Sequence, residues 1–323
     1  MVKRWAHGCL LALLFCLPAV AAPEKAGRVT YHGYDDCIEL KNRNTRVILS
    51  GACGGRVLEY SLNGVNALLL DPSQAGWTYT PGGPTIDPSA GRMDIGPEST
   101  TPPHLGLWLG SWKAIRTGPY SARMTSVADH LTGVRLVRDF VLDPDSSRLT
   151  VTQTIRNVSP RTVRQCHWSR TFAPPGGICI VPLDSGGPFP NQVAQWEPGN
   201  LINFAPRDQK MVLWGDTLII TGPLKNAKIG LATSVGKLGY LTPNNLLFIK
   251  EFPVYPNRVY GEIVAMNLCV CYQQKFCELE PIGPLEEIKP GGSASYTETW
   301  TLRQSPFPAR GELDYEKLRR LVR

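Results

Sequence analysis

Beyond its N-terminal segment, this 323-residue chain contains no apolar run long enough to cross a bilayer as a helix. It also lacks the signatures of several common chemistries. No glycine-rich loop follows a strand to cradle phosphate, and no Ser-His-Asp order carries a nucleophile elbow. Cys269 and Cys271 form a C-x-C, but there is no C-x-x-C, and no histidine or second cysteine pair stands at zinc-finger spacing. No metal and no cofactor is therefore implied. The formal net charge is +7, yet the basic residues are scattered and run together only at the tail, which argues against a nucleic-acid partner. There is no repeat period and no low-complexity linker. Helical spacing is confined to Glu312–Arg323, where Leu313, Leu318 and Leu321 form a stripe and Arg319, Arg320 and Arg323 sit near the C-terminal dipole.

The N-terminus has a different character. Lys3 and Arg4 precede an apolar run from Cys9 to Leu17, and Ala19-Val20-Ala21 offers small residues for cleavage. Residues 1–21 therefore read as a signal peptide. A lipid anchor is disfavoured, because Phe15 before Cys16 is too large for a lipidation box and Cys9 comes too early. The expectation is a periplasmic or secreted protein with no membrane attachment after cleavage. Asn157-Val158-Ser159 is a formal glycosylation sequon, but Pro160 follows it and it carries no weight.

The chain has 31 glycines and 28 prolines, spread between short runs rich in Val, Ile, Thr and Tyr. That distribution predicts many turns between strands and not disorder. Arg46–Leu49 and Gly55–Leu62 open a meander, and Asn63-Gly64 supplies a hairpin turn before Val65–Leu70. Asp71–Pro103 reads as a long Pro/Gly/Ser/Thr loop. Arg135–Leu142 and Arg148–Asn157 alternate on either side of Asp143-Pro144-Asp145, a second hairpin. Arg164–Phe172 continues the sheet, Pro174–Pro190 is another loop, and Val212–Cys271 holds five or six further short strands. Downstream of residue 21 the cysteines are Cys37, Cys53, Cys166, Cys179, Cys269, Cys271 and Cys277, an odd number. Cys271 and Cys277 flank a short turn where a cross-strand bridge is geometrically possible; buried, inert thiols are the competing reading. The expected fold is all-β: one large antiparallel domain over 22–304, then a partly helical tail over 305–323.

The most informative stretch is Phe276–Leu302. It reads as two strands joined by the turn Lys289-Pro290-Gly291-Gly292, with Glu278 and Glu280 on one face of the first strand and Cys277 and Leu279 on the other. This segment resembles the C-terminal end of the aldose-1-epimerases (galactose mutarotases), whose general-base Glu sits just upstream of such a turn. Gly54–Leu68 resembles their opening motif, and Arg138–Pro160 their central hairpin, soon followed by a His, here His167. The resemblance is nearest to a secreted bacterial branch of that superfamily. It implies a large antiparallel β-supersandwich of the galactose-mutarotase type. Two motifs depart from the family. Catalytic mutarotases carry Gly-Arg-x-x-Asn-Arg before their first His, where this chain has Gly91-Arg92-Met93-Asp94-Ile95-Gly96-Pro97-Glu98. Their central Asn-His-x-Tyr-Phe-Asn is replaced by His167-Trp168-Ser169-Arg170, ten residues beyond Asn157.

Mutarotation needs a base for the anomeric hydroxyl and an acid for the ring oxygen. Glu278 and Glu280 are candidates for the base, since like charge and burial raise a carboxyl toward neutrality. The resemblance places His104 and His167 at the family's two His positions; His32 and His130 have no such support. For each His the bland alternative is a satisfied structural residue. On a regular strand His167 and Ser169 face one way and Trp168 and Arg170 the other, so His167 and Arg170 share a cleft only across a bulge. Trp108, Trp112 and Trp168 have the chemistry to stack on a sugar ring, with core packing the alternative. Lys250, Arg258 and Glu262 lie among aromatics in Leu246–Glu262, a candidate lip for hydroxyl or carboxylate groups.

The expected ligand is a sugar or glycan, and nothing fixes the oligomeric state. Epimerase-like acid–base chemistry on a sugar leads. A glycan-binding module without turnover stands against it, favoured by the departure from the Asn-Arg motif. A polysaccharide lyase or hydrolase on the same fold is the third possibility.

Overall fold

The computed structural model describes residues 27–183, 192–199, 201–262, 266–309 and 312–323. The expected signal peptide, residues 1–21, lies outside them. Strands β1 (Arg28–Tyr31), β2 (Tyr34–Lys41), β3 (Thr45–Ser50), β4 (Arg56–Leu62) and β5 (Val65–Asn66) form an antiparallel meander. Asn63 and Gly64 hold left-handed backbone, at φ 51° and 81°, as a two-residue turn between β4 and β5 requires. After a 3-10 turn at Pro72–Gln74 come β6 (Gly91–Gly96), helix α1 (Leu105–Trp108), β7 (Lys113–Gly118), β8 (Ser121–Asp129), β9 (Val134–Leu142) and β10 (Leu149–Asn157). The chain continues through β11 (Val163–Ala173), β12 (Ile178–Pro182), β13 (Val193–Glu197), β14 (Leu201–Asn203), β15 (Met211–Trp214), β16 (Thr217–Ile220) and β17 (Lys228–Leu231). It ends with β18 (Lys237–Thr242), β19 (Leu246–Glu251), β20 (Leu268–Tyr272), β21 (Cys277–Pro281), β22 (Glu286–Ile288), β23 (Ser293–Gln304) and helix α2 (Tyr315–Arg320).

Among the described residues these strands make two antiparallel sheets, one of 13 strands and one of 10. The larger runs β1-β2-β3-β4-β6-β11-β21-β20-β17-β13-β14, with β5 and β22 appended. The smaller runs β15-β16-β12-β18-β19-β23-β10-β9-β8-β7. Their facing sides share one core, in which Met93, Ile95, Val270 and Leu279 of the larger sheet meet Phe140, Val151, Phe248 and Trp300 of the smaller. Tyr60, Phe248 and Trp300 pack with ring centroids 5.4–5.9 Å apart. Such pairs add ~0.5–1.5 kcal/mol each beyond their buried area. This is the all-β supersandwich that the sequence predicts.

Helix α2 closes the outer face of the smaller sheet. The Asp314 side chain accepts from Lys317 N at 2.9 Å and caps it. Leu318 and Val322 bury against Ile178, Ile180, Ile219 and Leu247. Leu313, part of the expected stripe, precedes the helix and is exposed.

Several sequence expectations are corrected here. The two strands of the Phe276–Leu302 segment are not a hairpin: β21 belongs to the larger sheet and β23 to the smaller, and the Lys289–Gly292 turn joins β22 to β23. Asp71–Pro103 is not wholly loop, because β6 lies within it and is buried along its whole length. Pro174–Pro190 likewise contains β12. Strand β11 does not continue the sheet of β10; it crosses to the larger one. Cys271 pairs with Glu278 and Cys277 with Tyr272, which puts the two thiols on opposite faces and rules out a bridge between them. All seven described cysteines are free, and all but Cys271 are buried.

Candidate functional site

Strand β11 lies between β6 and β21, and alternation decides what each face carries. Trp168 stands opposite Asp94 and Arg170 opposite Arg92, while Phe172 stands opposite Glu278. Trp168, Arg170, Arg92, Asp94, Glu278 and Glu280 therefore share the face turned away from the smaller sheet. His167, Ser169 and Thr171 take the core face.

Arg170 is the hub of this outer array. Its Nε donates to Glu278 Oε1 at 2.8 Å and lies 3.5 Å from Glu280 Oε2, and its Nη1 lies 3.5 Å from Asp94 Oδ2. The Trp168 indole donates to Glu280 Oε2 at 2.6 Å. Arg92, fully buried, bridges Asp87 at 2.7 Å and Asp94 at 3.3 Å, with Trp108 against its guanidinium at 4.9 Å. Beyond Trp168, the Lys228 ammonium lies 5.2 Å from that indole and 4.7 Å from Trp196, and pairs with Glu98 at 2.9 Å.

Protonation follows from these contacts. Two buried carboxylates share one guanidinium, so only one negative charge is well matched. Burial, and then the Glu280 charge, push Glu278 up to about 7, with Arg170 and Arg92 pulling against them. Burial opposes the charge on Arg170, but Glu278, Glu280 and Asp94 hold it firmly protonated. His104 returns to the array from the loop after β6: its Nδ1 lies 2.7 Å from Pro102 O and its Nε2 2.7 Å from Asp94 Oδ1. Both ring nitrogens thus face acceptors, a geometry that an imidazolium satisfies and a neutral ring does not. Burial lowers the His104 pKa, but the Asp94 hydrogen bond and charge outweigh it and hold it above 6.5. Burial likewise opposes ionisation of Asp94, yet His104, Arg92 and Arg170 keep its carboxyl well below the usual range.

The expected site residues divide between faces. Glu278, Glu280, Arg170, Trp168 and His104 meet in the array, and Trp108 borders it through Arg92. Glu262 also borders it, accepting from Glu98 N at 2.7 Å. His167 lies on the core face: it stacks on Tyr296 with centroids 5.7 Å apart, its Nε2 reaches Ala294 O at 3.1 Å, and burial lowers its pKa to about 4. No bulge turns it toward Arg170. Trp112 is buried in the core. Lys250 is buried between the sheets, where its Nζ donates to Ser169 Oγ at 2.9 Å and Thr171 Oγ1 at 3.1 Å and pairs with Glu298 at 3.2 Å. Arg258 is exposed and pairs with Glu286 at 2.7 Å, outside the array.

Sequence reasoning overlooked Arg92, Asp94, Glu98, Trp196 and Lys228 as site residues. The usable signal for the first two was the charged/apolar alternation Arg92-Met93-Asp94-Ile95 between Gly91 and Gly96. A concavity of about 450 Å³, bounded in part by Val193, Met211 and Leu218, lies elsewhere and shares no residue with the array. We therefore place the site by its chemistry. Among the described residues, no group of three or more His, Cys, Asp or Glu is arranged to hold a metal ion.

No family model matches this chain, and no curated protein matches it. Solved structures do. A putative aldose 1-epimerase from Escherichia coli K12 aligns with a TM-score of 0.57 at 15% identity, covering 83% of this chain and 99% of that one. A galactose mutarotase-like protein from Lactobacillus casei gives 0.59 at 11% identity, with 83% and 100% covered. A galactose mutarotase related enzyme from Lactobacillus acidophilus gives 0.56 at 10% identity, with 86% and 99% covered. At these identities the likeness is one of fold: the chain has the galactose-mutarotase-like fold.

Proposed function

We propose that this protein is exported and performs epimerase-like acid–base chemistry on a sugar at the outer face of β6, β11 and β21. One observation carries the reading: a continuous chain of contacts runs from the His104 imidazolium through Asp94 and Arg170 to Glu278. An acid and a base stand at its two ends. A carboxyl near neutrality can take the anomeric hydroxyl proton, and the His104 imidazolium can protonate the ring oxygen where a bound sugar takes the place of its Pro102 acceptor, with the roles reversed after rotation about the C–C bond. Arg170 stands between them, charged and partly exposed, and offers donors to sugar hydroxyls. The half-buried Trp196 and the cationic Lys228 extend the same face. Export rests on the Lys3-Arg4 start, the short apolar run and the Ala19-Val20-Ala21 site.

A second reading has its own support. Glu278 and Glu280 are only 3% and 1% exposed, and their oxygens are engaged by Arg170 and Trp168. A module that binds glycans without turnover would need no more than this. Polarimetry separates the two. Sugars retained on a glycan array, freshly dissolved as one anomer, should reach their equilibrium optical rotation faster with wild-type protein than with buffer. Glu278→Gln should slow that conversion by ~10²–10⁴ while binding survives. Wild-type rates equal to buffer on every bound sugar would leave only the binding module.

A further inference from the structure

The larger sheet carries a second polar surface, distinct from the acid–base array. Strands β2, β3 and β4 hold Lys41, Arg46 and Ser61 in one row, Lys41 opposite Arg46 and Arg46 opposite Ser61. Their neighbours Leu40, Val47 and Tyr60 are buried in the shared core, so alternation turns the row outward. Glu59 joins it. Arg46 Nη1 donates to Glu59 Oε2 at 2.9 Å and Ser61 Oγ to Glu59 Oε1 at 2.6 Å, while Arg46 Nε donates to Glu39 Oε1 at 2.6 Å. The Tyr31 ring of β1 lies against the Arg46 guanidinium at 5.4 Å. The adjoining turns are fixed as well. The Asn42 side chain accepts from Asn44 N at 3.1 Å and Thr45 N at 2.8 Å. Asn63 N donates to Asn44 O at 2.8 Å, which binds the β4–β5 turn to the β2–β3 turn. With these turns, Tyr31, Arg46, Glu59 and Ser61 bound a concavity of about 480 Å³ that shares no residue with the array.

We propose that this concavity is a second binding site, which takes an acidic sugar residue of a glycan, a uronate. Two features select that chemistry. Lys41 and Arg43 line the concavity, are exposed and, among the described residues, pair with no carboxylate. With Arg46 they set three cations against Glu39 and Glu59, so one positive charge is in excess and two cations are left for an incoming carboxylate. Glu59 selects against a bare anion. It is only 7% exposed, and each of its oxygens already accepts one hydrogen bond and has room for another. A hydroxyl can supply that bond and a sulfate ion cannot. The ligand therefore needs an anionic group and hydroxyl donors on one small frame. Asn44 and Asn63 add side-chain amides for further hydroxyls, and the half-buried Tyr31 ring adds an apolar surface for the C–H side of a sugar. The ion pairs and turns hold these groups in place before any ligand arrives, so binding orders little. The site stands apart from the acid–base reading, because a protein without turnover would bind here equally.

Tetramers of galacturonate, glucuronate and mannuronate should be titrated calorimetrically into the full chain, beside neutral galactose tetramers, sodium sulfate and single-stranded RNA. At least one uronate tetramer should bind, more weakly as salt rises, and at least ~10-fold tighter than the neutral tetramers. Lys41→Gln combined with Arg43→Gln should lower that affinity about tenfold, and both side chains are exposed, so the fold survives the change. Glu59→Gln should lower it as well; if that variant fails to fold, the Lys41/Arg43 variant decides alone. Glu278→Gln should leave it unchanged. Failure of every uronate tetramer to bind would overturn the proposal. Displacement by sulfate or RNA at matched ionic strength would show a patch for anions in general and overturn it too. So would binding that survives the Lys41/Arg43 variant, or that disappears with Glu278→Gln, since the acid would then sit in the array.

Discussion

His104 Nε2 and Asp94 Oδ1 lie 2.7 Å apart, ten residues apart in sequence, and each fixes the ionisation of the other. The His104 pKa is raised above 6.5, so the stability it contributes is complete below that value and is lost as pH rises through its folded pKa. Asp94 is lowered below 3.8, so its contribution is present above that value and is lost as pH falls through its folded pKa. The pair therefore stabilises most between those two ordinary values. Asp94→Asn should bring the His104 pKa below 6.5, because burial remains and the charge does not; imidazole NMR titration measures it. An unchanged titration would disprove the coupling.

Arg170→Met should leave two buried carboxylates without their shared cation. Breaking a buried pair in this way costs about 3–5 kcal/mol, which denaturant unfolding at neutral pH would register. Adding Glu278→Gln should recover part of the loss, since it removes one of the unmatched charges. A double variant no more stable than Arg170→Met would mean that packing, and not charge, accounts for the effect.

Lys250 gives a separate test of the sheet's interior. Lys250→Met strands Glu298 in the core and should destabilise by about 3–5 kcal/mol. Lys250→Met combined with Glu298→Leu should regain only part of it, because Glu298 also offsets the charge of the fully buried Arg138. The retained partners Gln153 and Trp300, at 3.0 and 2.9 Å from Glu298, limit that recovery.

Export has a direct readout. Protein recovered from the periplasm or medium should begin at Ala22 on N-terminal sequencing, and a chain that retains Met1 would contradict the signal reading.

Much of the architecture could be read from alternation alone. Leu149, Val151 and Ile155 face the core while Thr150, Thr152 and Thr154 do not, as strand period requires. The same rule put Glu278 and Glu280 together, and Trp168 with Arg170. What alternation could not supply was sheet membership. Nothing local in Val163–Ala173 distinguishes a strand that stays beside β10 from one that crosses to the other sheet. Strand β6 was hidden for a related reason: it is short, buried on both faces and set within Pro/Gly-rich sequence, so Arg92 and Asp94 were hidden with it. The resemblance to the epimerases places His167 by motif order at their second His, but parity along β11 turns its ring into the core.

Strand β11 carries consequential polar groups on both of its sides, and this sets how the gene can vary in length. Most strands tolerate a one-residue slip poorly because apolar side chains would reach water. In β11 a deletion would do worse, driving Arg170 into the core against Lys250 while lifting His167 and Ser169 to the outside. Insertions and deletions should therefore be absent from Val163–Ala173 among close homologues and concentrate in turns such as Asp143–Arg148, leaving β11 a fixed ruler against which divergent sequences can be aligned.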